Sequence, residues 1–296
     1  MLEVREWTVE ENVDHEKISK YLKRTLDLSY EQIRAVRKYH LCGINQVMID
    51  EESTVSTGDF ISCTIPDERP KTDEPYDYPL DILYEDECML VINKPNDMAV
   101  TPGPENWERN IYCALLGYFG KDAYFRLAHR IDKSTTGCLA VTKTKKATKI
   151  LGRQLNDRLC HREYLALVKG NITEAGRVEL PIERDLQNFR RMGIREDGKY
   201  ALTLYEPLEQ FRNASEVRIE LKTGRTHQIR VHMAAISHPL IGDQLYGEAF
   251  EALDTKGAVL HAHRFHFMHP LSGETMTVTA PVPEYYRNVK EILKAE

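Results

Sequence analysis

Segments with the pattern of β-strands follow one another through most of this chain, and few helical segments lie between them. Apolar and polar residues alternate cleanly at Val217, Ile219 and Leu221, which is typical of a strand with one buried face. Strands that come in runs joined by turns favour antiparallel pairing. The sequence therefore predicts an α+β fold, in which a largely antiparallel mixed β-sheet domain follows a small α+β domain.

Composition along the chain predicts where these two domains meet. Residues 66–79, "PDERPKTDEPYDYP", are proline-rich and acidic and have no apolar period, as a linker would. The small domain then covers residues 1–65 and the large one residues 80–296. Within the small domain, Ser29 and Gln32 have the spacing of a capping box at the start of a helix.

Composition also limits the class of protein. The 296 residues contain no apolar run of the length that crosses a membrane, and the acidic N-terminus lacks the apolar core of a secretory signal. The six cysteines are scattered and form no CxxC pair, which is typical of reduced thiols. We expect a cytoplasmic monomer with no obligate protein partner and no membrane contact.

The net charge of −6 conceals a separation of charge along the chain. Residues 51–87 contain 12 acidic and 2 basic residues, whereas residues 126–169 contain 11 basic and 3 acidic residues. Local charge sets the local field, so the second region can attract a polyanion such as RNA. The alternative is that part of this region is a solvated helix face.

One carboxylate lies within this basic region, in the stretch "RLAHRIDKSTTGCLAVTK". Asp132 lies between Arg130 and Lys133 and is followed by a turn-like Ser-Thr-Thr-Gly sequence. A carboxylate that is partly buried beside a fixed arginine is partly desolvated and held in one orientation, as a nucleophile requires. The alternative is an aspartate that only caps the turn.

A second basic junction follows about ninety residues later, in "LKTGRTHQIRVHMA". Arg225 comes at the end of an alternating strand, where a helix is predicted to begin, and Arg230 lies five residues on. Arginines at such a junction suit a phosphate or a buried carboxylate. We therefore expect a shared cleft in which Arg225 holds Asp132, although surface arginines on a helix give the same local pattern.

These stretches resemble the RluA-type pseudouridine synthases. "HRIDKSTTG" matches that family's HRLDxxTSG signature, and "REYLALVKG" matches its tyrosine-bearing strand. "TGRTHQIRVHMA", with the following "HPLIGDQLYG", matches its third motif, and "VINKPNDMAVTPG" resembles its lysine-proline motif. "LHAHRFHFMHPLSGE" resembles its C-terminal hairpin. The blocks occur in family order, and the departures, such as Thr136 in place of serine, leave the catalytic positions intact.

The resemblance implies an RNA pseudouridine synthase with particular site residues. Asp132 would be the nucleophile, Tyr164 the residue that stacks on uracil and relays a proton, and Arg225 the partner of Asp132. Arg130 would fill the gap left by a flipped uridine, and Arg230 would meet phosphate. The remaining substrate-binding residues implied are His129, Thr136, Gly224 and Lys94. The resemblance leaves a glycal route and an acylal-type attack both open.

The first 65 residues resemble the small RNA-binding domain named after ribosomal small-subunit protein four. The order "SYEQIRAVRK", "LCGINQ", "STVSTGD" carries this likeness, and it implies RNA contact through Arg34, Arg37 and Lys38. Two departures are His40 and Gln46, which stand where that domain usually has glycine. With this domain in front, we expect the substrate to be ribosomal RNA of the large subunit, and otherwise tRNA.

The sequence supports no cofactor, and it leaves two other functions open. Pseudouridine formation moves no phosphate and changes no oxidation state, and neither GxxxxGK nor GxGxxG is present. The histidines of "HAHRFHFMH" suggest a metallohydrolase, but strand alternation separates them and no HExxH accompanies them, so we expect no metal. The second alternative is a non-catalytic RNA-binding or ribosome-assembly factor on the same fold.

Overall fold

The computed structural model describes residues 3–50, 52–65, 73–103, 106–185, 188, 191–250 and 257–295. Residues 66–72 of the predicted linker lie outside the described residues, and residues 73–79 form neither helix nor strand. Among the described residues, no helix is both long and apolar enough to span a membrane.

The N-terminal part consists of short strands around two helices. Its helices are α1 (Ile18–Leu26) and α2 (Tyr30–Lys38). Its strands are β1 (Glu3–Thr8), β2 (Glu16–Lys17), β3 (Cys42–Ile44), β4 (Val47–Met48), β5 (Thr54–Val55) and β6 (Phe60–Ile65). The predicted capping box is confirmed, because the Gln32 backbone N–H donates to Ser29 Oγ and the Ser29 N–H donates to Gln32 Oε1.

Four of these strands form a sheet in the order β1-β6-β3-β4, and β2 pairs with β5. One face of each helix packs against the strands, in an apolar cluster that includes Leu22, Val36 and Ile61. This cluster is separate from the apolar clusters of the rest of the chain.

The rest of the chain forms a ten-stranded sheet with helices packed on it. The helices are α3 (Ile111–Phe119), α4 (Lys145–Asn156), α5 (Gln228–Ala235) and α6 (Glu284–Ala295). The strands before α5 are β7 (Ile82–Glu85), β8 (Met89–Lys94), β9 (Arg126–Leu127), β10 (Thr136–Thr142), β11 (His161–Lys169), β12 (Gly176–Glu179), β13 (Ile182–Arg184), β14 (Met192–Ile194), β15 (Leu202–Gln210) and β16 (Ala214–Leu221). The strands after it are β17 (Leu260–Met268) and β18 (Thr275–Thr279).

The large sheet confirms the predicted fold class. Its strands follow the order β12-β15-β16-β11-β17-β10-β8-β7, with β18 beside β17 and β9 beside β10, while β13 and β14 form a separate pair. Within the described residues the pairings are antiparallel except that of β10 with β17. The fold is therefore α+β, with a mixed and mostly antiparallel sheet.

Helices cover both faces of this sheet. On one face Leu139 and Val141 join a cluster that includes residues of α3 and α5, and on the other Cys138 and Ala140 join residues of α4. Strand β10 is consequently buried along its whole length. Tyr164 belongs to the cluster on the α3 and α5 face, so this face carries the candidate site.

Candidate active site

A pocket of about 380 Å³ opens on the α3 and α5 face of the sheet. It lies where the loop before β10, strand β11 and the turn between β16 and α5 come together. Its lining includes His129, Arg130, Ile131, Asp132, Lys133, Thr135, Arg162, Tyr164, Leu221, Gly224, Arg225, Thr226, His227 and Leu260. The two basic junctions singled out in the sequence therefore share one cleft.

Asp132 lies in a tight turn that leads into β10. Its backbone carbonyl accepts a 3.1 Å hydrogen bond from the Thr135 N–H. The second residue of the strand, Gly137, has a φ of 102°, and the backbone oxygen of Ala262 leaves no room for a side chain there. The side chain of Asp132 is 24% exposed, so its carboxylate is partly desolvated but open to the pocket.

Arg230, and not Arg225, is the arginine beside Asp132. Arg230 Nη1 lies 3.7 Å from Asp132 Oδ2. The same guanidinium donates from Nε and Nη2 to the two carboxylate oxygens of Asp243, at 2.7 Å each. Burial alone lowers the pKa of Arg230, but the hydrogen bonds to Asp243 raise it above its ordinary value. The expected contact of Arg230 with phosphate stays a prediction; in the structure this buried side chain faces the carboxylates of Asp132 and Asp243.

Arg225 has a different place in the same pocket. Its backbone N–H donates to Gln228 Oε1 at 3.0 Å, and its Nε donates to the Tyr200 carbonyl at 3.0 Å. The residue is exposed at the pocket rim. The prediction that Arg225 pairs with Asp132 is therefore corrected: helix α5 starts at Gln228, and Arg230 lies on the turn of helix that faces the carboxylate.

Tyr164 forms part of the pocket wall. It lies on β11, is 4% exposed, and packs in the apolar cluster of the α3 and α5 face. Burial raises the pKa of its phenol, and Asp132 raises it further, while the Arg162 cation opposes both. The hydroxyl therefore keeps its proton at neutral pH, and the ring offers an apolar face beside Asp132.

Lys94 does not reach the pocket. Its side chain is fully buried, and its ammonium group donates to the carbonyls of Pro95, Met98 and Lys133 at 2.6, 2.8 and 2.9 Å. Burial lowers the pKa of Lys94 to about 7, and the nearby Asp132 carboxylate opposes this shift. The predicted substrate contact is corrected, since Lys94 instead ties two loops together next to Asp132.

Thr136 is also turned away from the pocket. It is buried, and its hydroxyl lies 2.9 Å from His261 Nδ1 and 3.2 Å from the Tyr285 hydroxyl. Its neighbour Thr135 lines the pocket, as Thr101 and Thr226 do, so the prediction of Thr136 as a substrate-binding residue is corrected. Thr136 is the first residue of β10, whereas Thr135 lies in the loop before it.

His129 and Gly224 both line the pocket. Burial, together with the Arg162 cation, lowers the pKa of His129 to about 3, so its ring is neutral and accepts from the Ala140 N–H at 3.2 Å. Gly224 leaves space for Arg162, since a Cβ there would lie 2.9 Å from Arg162 Nη1. Glycine thus allows a guanidinium to lie against the backbone of the turn.

The rim of the pocket carries cations. Arg130, Lys133, Arg162 and Arg225 line it together with the single carboxylate Asp132. Lys133 pairs with Asp97 at 3.1 Å. This arrangement gives a positively charged opening around a partly buried acid, which suits a phosphodiester chain that presents one group to the carboxylate.

The sequence prediction assigned no role to three residues that shape the site. Asp243 is completely buried and holds Arg230, while His227 lines the pocket and lies 2.8 Å from the Tyr246 hydroxyl. Asp243 and Tyr246 both belong to the quoted "HPLIGDQLYG". The sequence signal that could have identified them is the presence of an aspartate and a tyrosine in a motif that directly follows the segment containing Arg230.

The histidines of "HAHRFHFMH", which lie on β17 or, for His269, directly after it, make hydrogen bonds within the fold. His261 and His263 contact the Ala280 carbonyl, His266 contacts the Thr277 hydroxyl, and His269 lies 2.7 Å from Asp86 Oδ2. Asp86, Cys88 and His269 come close enough to hold a metal ion. In the structure, however, Asp86 accepts hydrogen bonds from the backbone of Cys88 and Met89, so this group joins the β7–β8 turn to the β17–β18 hairpin.

Known proteins are similar to this chain in both sequence and fold. The family model described as RNA pseudouridylate synthase matches residues 88–235. The ribosomal large subunit pseudouridine synthase D of Pasteurella multocida is 37% identical over 286 residues, which cover 91% of this chain and 88% of that protein. Its namesake in Escherichia coli strain K12 is 42% identical over 238 residues, 75% of this chain and 73% of that protein.

A solved structure gives the same result. The human RNA pseudouridylate synthase domain containing 1 superposes with a TM-score of 0.59 at 28% identity, and covers 76% of this chain and 98% of its own. The residues matched by the family model include Asp132, Tyr164 and Arg230. The chain therefore belongs to the RNA pseudouridylate synthase family, and it is an RNA pseudouridine synthase.

Proposed function

We propose that this enzyme isomerises uridines in large-subunit ribosomal RNA, with Asp132 as the nucleophile. The observation that carries the proposal is the arrangement of three groups: the partly buried carboxylate of Asp132 and the side chain of Tyr164 line one pocket, and the fixed guanidinium of Arg230 lies 3.7 Å from that carboxylate. The printed names of the Pasteurella and Escherichia relatives, which specify the large ribosomal subunit, support this substrate class.

The reaction breaks the bond between ribose C1′ and N1 of uracil and forms a bond between C1′ and C5. The base turns within the site, the hydrogen on C5 is released as a proton, and N1, which has lost its bond to C1′, takes up a proton. Since neither atom is accessible in a stacked helix, the uridine must be flipped out, at a cost of a few kcal/mol. The pocket volume of about 380 Å³ suits a single nucleoside.

In this proposal Asp132 acts at the sugar while Arg230 holds it. A guanidinium that is itself fixed by Asp243 cannot swing away, so the Asp132 carboxylate keeps one orientation. Tyr164 stacks on the uracil and relays the C5 proton. Because burial raises the pKa of its phenol, Tyr164 is protonated before the reaction, and it acts as a proton relay and not as a preformed phenolate base.

The cations at the rim hold the RNA around the flipped nucleotide. Arg130 is exposed next to Asp132 and fills the gap in the stack, while Arg162 and Arg225 contact phosphates. Contacts of this kind release counterions, so binding weakens steeply as salt concentration rises.

Tritium release from RNA labelled at C5 of uridine tests the proposal. Ribosomal RNA and tRNA, both from cells lacking this gene, are incubated with the wild type, with Asp132→Asn and with Asp97→Asn. Asp97 is an exposed control that pairs with the neighbouring Lys133. We expect release from large-subunit RNA by the wild type and the control, and none by Asp132→Asn. Release from tRNA alone would refute large-subunit RNA as the substrate, and full activity of Asp132→Asn would refute Asp132 as the nucleophile.

We further propose that residues 1–65 form an RNA-binding domain like that of ribosomal small-subunit protein four, joined by residues 66–79 to a catalytic domain of residues 80–296. Two residues that depart from that domain's glycine pattern, His40 and Gln46, have φ angles of 54° and 69°. These are left-handed conformations of the kind that glycine favours, so the backbone keeps the shape despite the substitutions.

Helix α2 presents the proposed RNA contacts beside the catalytic part of the chain. Arg34 and Lys38 are exposed on α2, with Arg37 between them half-buried. The Tyr39 ring at the end of α2 packs edge-on against Trp107, with ring centroids 5.9 Å apart. Trp107 follows the segment that supplies Ala99, Val100 and Thr101 to the pocket lining, so RNA on α2 can continue toward the pocket.

Salt titration of RNA affinity tests this second proposal. We expect Arg34→Ala with Lys38→Ala to weaken binding and to reduce the slope of log affinity against log salt by about 1 for each lost phosphate contact. The control is Lys20→Ala with Lys23→Ala on α1, which removes two exposed lysines from the other helix. Equal slopes for the two double variants would argue against α2 as the RNA-binding helix.

A further inference from the structure

The side chain of His227 contacts one neighbour, Tyr246, that decides which of its ring nitrogens carries hydrogen. His227 Nδ1 lies 2.8 Å from the Tyr246 hydroxyl oxygen. That oxygen also accepts a 2.7 Å hydrogen bond from the Met192 backbone N–H. The described residues give this hydroxyl no third hydrogen-bond partner, so its one hydrogen has an acceptor only in His227 Nδ1, and we infer that Tyr246 donates to that nitrogen.

This hydrogen-bond network assigns the tautomer of the ring. An Nδ1 that accepts from Tyr246 carries no proton, and a neutral imidazole then has its hydrogen on Nε2. Burial lowers the pKa of His227 and raises that of Tyr246 to about 12. The ring is therefore neutral, and the phenol keeps the hydrogen that it donates.

The other edge of the ring belongs to the pocket. His227 lines the same pocket as Asp132, and the described residues give its Nε2 no hydrogen-bond partner. The charged groups that act on the ring are Asp132, Arg230, Asp243 and Arg184. The backbone holds the ring in place, because His227 has a φ of 54° at the residue before α5. A fixed donor without a protein acceptor points to an acceptor on the substrate.

We propose that His227 Nε2–H donates a hydrogen bond to a carbonyl oxygen of the flipped uracil. The inference rests on the proposed function, since it requires a uridine in the pocket. Uracil has acceptor oxygens at C2 and C4, and its face lies against Tyr164 in that proposal. A donor in a fixed direction orients the base in the pocket before and after it turns, whereas a ring with the opposite tautomer would repel the carbonyl.

The first test does not depend on activity. Correlation of the ring nitrogens with the carbon-bound ring protons, by NMR of the ¹⁵N-labelled full-length enzyme without RNA, identifies which nitrogen carries hydrogen. We expect His227 to have a protonated Nε2 and an unprotonated Nδ1, and Tyr246→Phe to allow hydrogen on Nδ1. A wild-type ring with hydrogen on Nδ1 would overturn the inference, even if tritium release confirmed the enzyme activity.

The second test compares two amides. A glutamine amide reaches the position of Nε2, whereas an asparagine amide reaches only that of Nδ1 and is well tolerated in the left-handed backbone region. On tritium-labelled large-subunit RNA, we expect His227→Asn to lower the single-turnover rate about 100-fold with little change in RNA affinity. His227→Gln should retain much more of the rate.

The control is His238→Ala, which removes a histidine whose Nδ1 contacts the Lys169 carbonyl outside the pocket. It should react at the wild-type rate. Equal rates for the Asn and Gln variants would show that the donor at Nε2 has no role, and a loss confined to RNA affinity would contradict the contact with uracil. Absence of tritium release by the wild type itself would instead count against the proposed function and leave the tautomer assignment standing.

Discussion

Asp243 fixes the guanidinium of Arg230 through two parallel hydrogen bonds of 2.7 Å, so that the remaining nitrogen, Nη1, faces Asp132 at 3.7 Å. Asp243 also accepts from the backbone N–H groups of Leu245 and Tyr246, which fixes the carboxylate in turn. Asp132, the proposed nucleophile, is therefore oriented indirectly, by a buried aspartate that lies outside the lining of the pocket.

We predict that Asp243→Asn lowers both stability and activity. The change removes one charge of a buried pair and leaves Arg230 with only the more distant carboxylate of Asp132, so we expect a cost of up to about 3–5 kcal/mol. Arg230 then loses its fixed direction, and the rate of tritium release falls. Denaturant unfolding gives the first quantity and single-turnover assays give the second.

The chain offers a matched control for this variant. Arg195 and Asp197 form the same two-pronged contact, at 2.9 and 2.6 Å, but the Asp197 side chain is 66% exposed. Asp197→Asn should cost less than about 1 kcal/mol, because water replaces the lost contact. If the two variants lose equal stability, burial is not what makes the Asp243 contact important.

We predict that substitution by lysine has a large effect on the rate at Arg230 and a small effect at Arg225, the two arginines of the third motif. Arg230→Lys places one ammonium where a planar fork contacts two carboxylates, so it cannot satisfy Asp243 and Asp132 together. The single-turnover rate should fall by about 100-fold or more. Arg225→Lys keeps a positive charge at an exposed rim position, so it should change the rate only slightly.

RNA affinity separates the two roles further. Arg225→Ala should weaken RNA binding and reduce its salt dependence, whereas Arg230→Lys should bind RNA nearly as well as the wild type. A larger loss of single-turnover rate in Arg225→Lys than in Arg230→Lys would restore the original pairing of Arg225 with Asp132.

We predict that Lys94 gives the stability of the fold a particular pH dependence. Its pKa is about 7 in the folded protein and 10.5 as an ordinary lysine. Between these values the unfolded chain binds a proton that the folded protein has released, so unfolding takes up a proton and the free energy of unfolding rises with pH. Lys94→Met should remove this rise.

The same variant removes three hydrogen bonds to buried carbonyl groups. We expect Lys94→Met to be less stable than the wild type, by about 1–3 kcal/mol for an unsatisfied group, and the deficit should be larger at pH 9 than at pH 6. Denaturant unfolding at both values measures it. A deficit that shrinks toward pH 9 would contradict a lowered pKa for Lys94.

Local patterns in the sequence were sufficient to predict helices and strands and the fold class. The capping box of Ser29 and Gln32, the alternation along β16 and the β17–β18 hairpin all depend on residues close together in the chain. Such features are decided by local hydrogen bonds and by the period of the apolar residues, which can be read directly. The resemblance to the family, and not a local pattern, implied that Asp132 and Tyr164 belong to one site, and both line the pocket.

The partners of these residues depended on tertiary geometry. Arg225 and Arg230 are five residues apart, and only the start of α5 at Gln228 decides which one faces Asp132. Lys94 carries a charge that normally lies at the surface, yet it is completely buried, and its three carbonyl acceptors come from two separate loops. No local pattern reveals contacts between segments that meet only after folding.

We predict that Gly137→Ala disrupts the turn that carries Asp132. Gly137 has a φ of 102°, and a Cβ there would collide with the backbone oxygen of Ala262 on the neighbouring strand. Gly58→Ala is the matched control, because Gly58 has a similar φ of 90° with open space around it. The control should cost only the backbone term of about 1–2 kcal/mol. Since a strand backbone cannot yield as a flexible side chain can, Gly137→Ala should cost clearly more in denaturant unfolding and abolish tritium release. Equal losses would mean that the strand moves aside, and that the close pairing of β10 with β17 is not needed to place Asp132.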